Sequence, residues 1–280
     1  MTAIMGSNSG KIIPISRFVN EQVASSLLDK AAQFASAQPF PHLVFDGLFS
    51  EDLLTEVYNE FDHVEKQSWR VIENPLQLTL RSDPSTRFGP ATQTYFDISS
   101  SAWFVNLLSE ATAIRGILFD PMMKGGGMHE SRAGGKFGLH LDFSKHPVTQ
   151  LDNRLVLITY LNKDWKEEYG GSLELWDVAN NKCAASVLPV FGRTIIFAQT
   201  DKSLHGHPGG LKPPPGITRR SVAAYYYSNG RDDDGAAASF HSHFAAQHAP
   251  SGLKTAVRSV TPPILYSMAG SLKKIFRKTP

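Results

Sequence analysis

A single cysteine, Cys183, in 280 residues leaves no partner for an internal disulfide and no thiolate set for a metal cluster. That scarcity favours a reducing compartment. Long apolar runs are missing too. None is long enough to span a bilayer, and the opening "MTAIMGSNSGKIIPISRF" lacks the continuous apolar stretch of a signal peptide. The expectation is a cytoplasmic protein with no integral membrane segment. Nor does one sign of charge dominate: 28 Lys and Arg face 26 Asp and Glu, a formal +2 that argues against nucleic-acid binding through a broad basic face. There is no G-x-S-x-G elbow and no Walker loop, and the glycines of "KGGGMH" (124–129) read as a flexible turn.

What remains is ordinary globular composition, 41% hydrophobic and 19% charged, with a change of pattern near residue 125. Residues 1–20 have little periodicity and read as an irregular lead-in. Over 21–124 the pattern is mainly helical. Val23, Leu27, Leu28, Ala31 and Phe34 form one stripe across Glu21 to Ser36. "FPHLVFDGLF" reads as a short strand entering a turn. Ser50 is a candidate N-cap for "EDLLTEVYNEF", with Glu51 and Asp52 in the first turn where the helix dipole favours them. The stretch 71–99 reads as a strand pair with a long connecting loop, and another amphipathic helix starts at Ser101.

From 125 to 230 short β-rich runs succeed one another: "KFGLHLDF", "NRLVLITYLN", "GGSLELWD", "AASVLPV", "RTIIFA" and "RRSVAAYYYS". Many short strands with turns between them predict a sandwich or barrel. Helices first and strands after make an α+β arrangement, with N-terminal helices bracing a sheet. Residues 231–280 form an extension in which "NGRDDDG" is an expected solvated loop. Leu265, Met268, Leu272 and Ile275 make a helical stripe there beside basic residues, read first as a docked terminal helix and otherwise as a membrane-surface attachment.

Within the strands, residues i and i+2 share a face. His140 and Asp142 therefore project together, two legs of a possible 2-His-1-carboxylate site of the kind that holds Fe(II) with positions open. Alone, H-x-D is common by chance. A third ligand has to come from a later strand, where "TDKSLHGHPGG" offers His205 and His207. Beyond it, Arg219 and Ser221 are again i and i+2, a guanidinium fork beside a hydroxyl, which suits a buried carboxylate. Tyr160, on the face of Val156 and Ile158, adds a phenol.

In these residues the sequence resembles the Fe(II)- and 2-oxoglutarate-dependent dioxygenases, in particular the prolyl-4-hydroxylase-like branch. The matching stretches are "HLD" (140–142), "LITYLNKDW" (157–165), "GGSLELW" (170–176), "SLHGHP" (203–208) and "TRRSVAAYYY" (218–227). The likeness is specific over about 125–230, looser over 38–124 through "FPHLVFDGLFSEDLL", and absent beyond 235. It implies a double-stranded β-helix (jelly-roll) core. It also implies iron bound by His140, Asp142 and His205, and 2-oxoglutarate held by Arg219 with help from Tyr160 and Ser221. The family's usual pattern selects the first histidine of the H-G-x-P stretch, hence His205 over His207. It selects the arginine followed by any residue and then serine, hence Arg219 over Arg220. The proline-rich "HPGGLKPPPGIT" departs from the commonest pattern.

The resemblance further implies hydroxylation of an unactivated C–H bond coupled to conversion of 2-oxoglutarate and O2 into succinate and CO2, with L-ascorbate stimulatory. A small-molecule or peptidyl substrate is expected. Two other classes remain: a cupin-type metal isomerase using His205 and His207, which would want a nearby Glu that "PGGLKPPPG" lacks, and a non-catalytic barrel. Substrate contacts are expected from loops at the barrel mouth: the 80–97 segment with Arg81, Arg87 and Tyr95, the stretch after Asp142, and "RDDDG". Cys183 is expected to be structural.

Overall fold

Two faces of one sheet, each covered, organise the chain. The computed structural model describes residues 3–5, 12–231 and 238–245. In chain order the strands are β1 (Ala3–Met5), β2 (Ile12–Pro14), β3 (His42–Asp46), β4 (Trp69–Asn74), β5 (Gln77–Ser82), β6 (Leu118–Phe119), β7 (Gly127–Ser131) and β8 (Lys136–Leu141). There follow β9 (Asp152–Tyr160), β10 (Leu173–Asp177), β11 (Lys182–Val187), β12 (Arg193–Ala198), β13 (His205–His207), β14 (Arg219–Ser228) and β15 (His243–Phe244). The helices α1 (Glu21–Leu27), α2 (Ala31–Ser36), α3 (Glu51–Glu60), α4 (Pro90–Ser100) and α5 (Ala102–Thr112) all precede β6. No helix among the described residues is long and apolar enough to cross a membrane.

The main sheet is antiparallel, in the order β11-β10-β13-β8-β5-β7-β14-β9-β12-β3, with β4, β6 and β15 added alongside β5, β14 and β8. It curls into a nearly closed jelly-roll barrel. Strand β14 shows how the sequence dictates this. Its ten residues are all buried because alternate side chains serve different cores. Tyr225 and Tyr227 join Val156, Tyr160, Leu173 and Phe197 inside the barrel. Val222, Ala224 and Tyr226 instead pack with Leu54, Ile98, Phe104 and other helix residues. Each fully buried side chain of this size contributes about 1.5–3 kcal/mol.

The helical region differs in detail from its sequence pattern. The stripe from Glu21 to Ser36 is broken by a 3-10 turn at Leu28–Lys30, and the lead-in holds the small β1–β2 pair. Ser50 does cap α3, its hydroxyl accepting from the Leu53 amide. The strand pair expected within 71–99 is a tight hairpin, β4–β5, and after a short turn-containing stretch at 83–89 the rest is helix α4 rather than loop. Its N-cap, Gly89, has no side chain to offer. The Glu60 carboxylate at the end of α3 accepts from the amides of Ala91 and Thr92 instead. Tyr95 therefore lies in the core, fully buried and bonded to the Thr159 hydroxyl, and not at the barrel mouth. Cys183 is exposed on β11, so it has no core role. The C-terminal stripe from Leu265 to Ile275 lies outside the described residues.

Arg220 points away from the barrel interior. Its guanidinium pairs with Glu130 (3.2 Å) and Asp62 and donates to the Tyr58 carbonyl. Removing Arg220 would leave the buried Glu130 carboxylate with only the largely exposed Arg132 as a charged partner. Arg220→Ala is therefore expected to lower unfolding stability by about 3 kcal/mol in denaturant titration, while affinity for ligands of the barrel cleft stays near wild type.

Candidate active site

The barrel encloses a cleft of about 850 Å³, part of it open to solvent. His140 near the end of β8 and His205 at the start of β13 are direct cross-strand partners, their ring centroids 4.5 Å apart. Asp142 follows immediately after β8. Its carboxylate lies 3.5 Å from His140 Nε2 and 3.8 Å from His205 Nε2, and the three donor atoms fall within 4.8 Å of one another. The strand pair can approach this closely because Gly206 follows His205. A Cβ there would stand 2.7 Å from the Phe137 carbonyl oxygen.

Both imidazoles are oriented from behind. His140 Nδ1 donates to the Gly138 carbonyl at 2.8 Å, and His205 Nδ1 to the Ser203 carbonyl at 2.7 Å. A carbonyl can only accept, so in each neutral ring the lone pair sits on Nε2, which faces Asp142. Phe137 stacks on His140 with centroids 4.0 Å apart, and Phe197 meets His205 edge-on. Burial pulls the His205 imidazole down to about 4, the neighbouring His140 adding to the effect, so the ring is neutral at physiological pH. Burial alone would raise the Asp142 carboxyl, but the imidazoles beside it and the hydrogen bond from the Tyr225 hydroxyl outweigh it and hold the group well below the usual carboxylate range. Tyr225 donates to Asp142 at 3.0 Å.

His207 is buried and lines the cleft but stands outside the three-residue cluster. A register shift between His205 and His207 sets it opposite Phe137, and its Nδ1 has no hydrogen-bond partner.

Across the cleft, β9 and β14 present Tyr160, Arg219 and Ser221, all three lining it. Arg219 is 6% exposed. Its Nε donates to the Gly171 carbonyl at 2.8 Å and its guanidinium lies 5.0 Å from the Tyr160 ring centroid. Among the described residues no carboxylate pairs with it. Gly171, at φ +73°, makes the placement possible, because a Cβ there would come 2.9 Å from Arg219 Cδ. The Tyr160 hydroxyl is buried with no hydrogen-bond partner. An unpaired guanidinium beside an orphaned phenol fits an anionic oxygen ligand, which would satisfy both. Two imidazoles and a carboxylate fit Fe(II) or a similar divalent metal.

The sequence model of the 2OG-Fe(II) oxygenase superfamily matches residues 126–228. The match covers less than half of the chain. The matched segment carries every cluster residue named above, and the superfamily is one of Fe(II) and 2-oxoglutarate. No curated protein sequence matches the chain. Solved structures share its fold. A Pseudomonas putida prolyl-4-hydroxylase superposes with TM-score 0.54 at 16% identity, covering 74% of this chain and 100% of that one. A Trichoplax adhaerens prolyl hydroxylase, in complex with a hypoxia inducible factor oxygen degradation domain peptide fragment, gives 0.53 at 13%, covering 75% and 92%. HygX from Streptomyces hygroscopicus, with nickel, 2-oxoglutarate and hygromycin B bound, gives 0.51 at 12%, covering 77% and 97%.

Of the residues expected at the barrel mouth, Arg81 lines the cleft, as does Phe143 after Asp142. Arg87 is exposed and takes no part in the lining. Arg231 instead donates to the carbonyls of Asn153 and Gln199, and the remainder of "RDDDG" lies outside the described residues. Tyr225, Phe137 and His129 were not singled out by sequence reasoning. Tyr225 had a signal, since it continues the alternate-residue row of Arg219, Ser221 and Ala223. Tyr225→Phe is expected to weaken metal affinity about tenfold to a hundredfold, read by metal titration, with unfolding stability little changed.

Proposed function

We propose that the protein is an Fe(II)- and 2-oxoglutarate-dependent dioxygenase that hydroxylates an unactivated C–H bond, with release of succinate and CO2. The observation that carries this reading is the convergence of His140, Asp142 and His205 opposite an unpaired Arg219 in one cleft. In this reading His140 and His205 hold the metal through Nε2 and Asp142 holds it through its carboxylate. Arg219 pairs with the distal carboxylate of 2-oxoglutarate, and Tyr160 and Ser221 donate hydroxyl hydrogen bonds to it. When bound, iron and co-substrate supply an oxidising power from O2 that no side chain possesses.

The chain's own contribution is placement and exclusion. The carbonyls of Gly138 and Ser203 fix the two imidazole tautomers. Tyr225 steadies the carboxylate. Val156, Ile158, Leu173 and Phe143 give the cleft apolar walls that limit water. The substrate class on this reading is a prolyl residue in a protein, an amino acid or another small molecule, in keeping with the prolyl hydroxylases and the hygromycin B-bound protein of similar fold. L-Ascorbate is expected to stimulate turnover, and a reducing, cytoplasmic setting accords with one exposed free cysteine.

The cupin-type reading needs His205 and His207 together, and His207 stands apart from the donor cluster. A non-catalytic barrel has no use for three convergent ligands with an anion pocket beside them.

Purified protein given Fe(II), 2-oxoglutarate, O2 and ascorbate is expected to release succinate slowly without added substrate, and zinc in place of iron is expected to abolish this. His140→Ala, Asp142→Ala and His205→Ala should each lose both bound iron and succinate release, whereas His207→Ala should keep its iron. Iron lost from His207→Ala and kept in His205→Ala would reverse the ligand assignment. Arg219→Ala should retain metal but weaken 2-oxoglutarate binding about a hundredfold, a cost of a few kcal/mol.

A further inference from the structure

The charged side chains lining the cleft, among the described residues, are Asp142, Arg219 and Arg81. The first two have roles in the reading above. Arg81 does not. It sits on β5 in the alternate-residue row of Gln77 and Thr79, directly across the ladder from His129 on β7. Its guanidinium makes no ion pair and no hydrogen bond with any described residue, unlike Arg220, Arg193 and Arg132, each of which faces a carboxylate. Its charge nonetheless reaches the interior. Burial chiefly, and then Arg81, hold the His129 imidazole down at about 4. Arg81 also opposes the rise that burial imposes on the Tyr225 hydroxyl, the group bonded to Asp142.

A charge count turns this into a statement about the substrate. Fe(II) and the 2-oxoglutarate dianion cancel, and so do Asp142 and Arg219. Arg81 is left over, a single half-buried positive charge lining the cleft with no counter-charge beside it. A carboxylate would neutralise it, whereas a phosphate dianion would overshoot. The polar row beside it, Thr79 and Gln77, offers hydroxyl and amide groups already bonded to each other at 2.9 Å. The same wall therefore presents no competing anion.

We propose that Arg81 is the substrate-recognising residue of this site and that the substrate is a small organic acid with one carboxylate, held by that carboxylate on the wall that also carries Arg219. This rests on the dioxygenase reading of the preceding section. The two anion anchors share one wall, in a row that runs from Arg81 on β5 through His129 on β7 to Ser221 on β14, with Arg219 one alternate position further along β14; Arg219 serves the co-substrate, and Arg81 serves the molecule to be oxidised.

The test uses the iron- and 2-oxoglutarate-loaded full chain, kept anaerobic. It is treated with phenylglyoxal, and modification of Arg81 is followed by peptide mass. The probes are acetate, propionate and benzoate, each beside its primary amide. A carboxylate probe at ten times its dissociation constant should slow modification of Arg81 roughly tenfold, and its amide should not. In parallel, Arg81→Ala should bind 2-oxoglutarate within about threefold of wild type, because the lost charge faces a different ligand. The proposal is overturned if amides protect as well as acids, if no acid protects, or if 2-oxoglutarate alone protects Arg81 and Arg81→Ala loses it as Arg219→Ala does. Failure of the underlying reading looks different: wild-type protein would then bind neither iron nor 2-oxoglutarate, whatever the state of Arg81.

Discussion

A guanidinium buried without a carboxylate is the constraint around which the barrel is arranged. Arg219 is desolvated, and its positive charge answers to a backbone carbonyl and the face of an aromatic ring. Such a group costs several kcal/mol. The structure tolerates it because the surrounding sheet is over-determined. Strand β14 is laddered to both β7 and β9, and its far face is locked into the helical core. Gly171 leaves the space into which the arginine stem fits. The stability of both cores thus maintains a local instability that only an anion relieves.

The metal-binding candidates obey a different logic on the opposite wall. There the donors are two neutral rings and one carboxylate, each held by a hydrogen bond from outside the cluster. Divalent charge is favoured by a preset geometry more than by net negative charge. Keeping the cation-attracting set on β8 and β13, and the anion-attracting set on β9 and β14, prevents Arg219 from collapsing onto Asp142.

Legibility in the sequence followed the range of the interactions. The barrel strands were readable because period-two alternation is local, and the His140–Asp142, Arg219–Ser221 and Tyr160 positions followed from it. Helix α4 was not readable. Its cap is the Glu60 carboxylate from another helix, and "TQTYFD" inside it has weak intrinsic helix preference. Mistaking it for loop put Tyr95 at the mouth when tertiary packing draws it inside. Choosing between His205 and His207 from spacing alone was also impossible. The difference is a register shift of β13 against β8, which exists only once the strands are paired. Tyr225 was within reach, needing only the alternate-residue row to be followed two steps further.

The alternation of β14 has a consequence for how such a chain can change over time. Every second residue belongs to the site and every other to the helical core, so the strand has parity. Gain or loss of one residue upstream of Tyr225 would send Arg219 into the apolar layer and a core side chain into the cleft. The ladder does contain an irregularity, where pairing skips Arg154 of β9 opposite Tyr226 and Tyr227. It falls just past the last site residue. A change of length is tolerable at that end of the strand, whereas within the stretch from Arg219 to Tyr225 it would take the site apart.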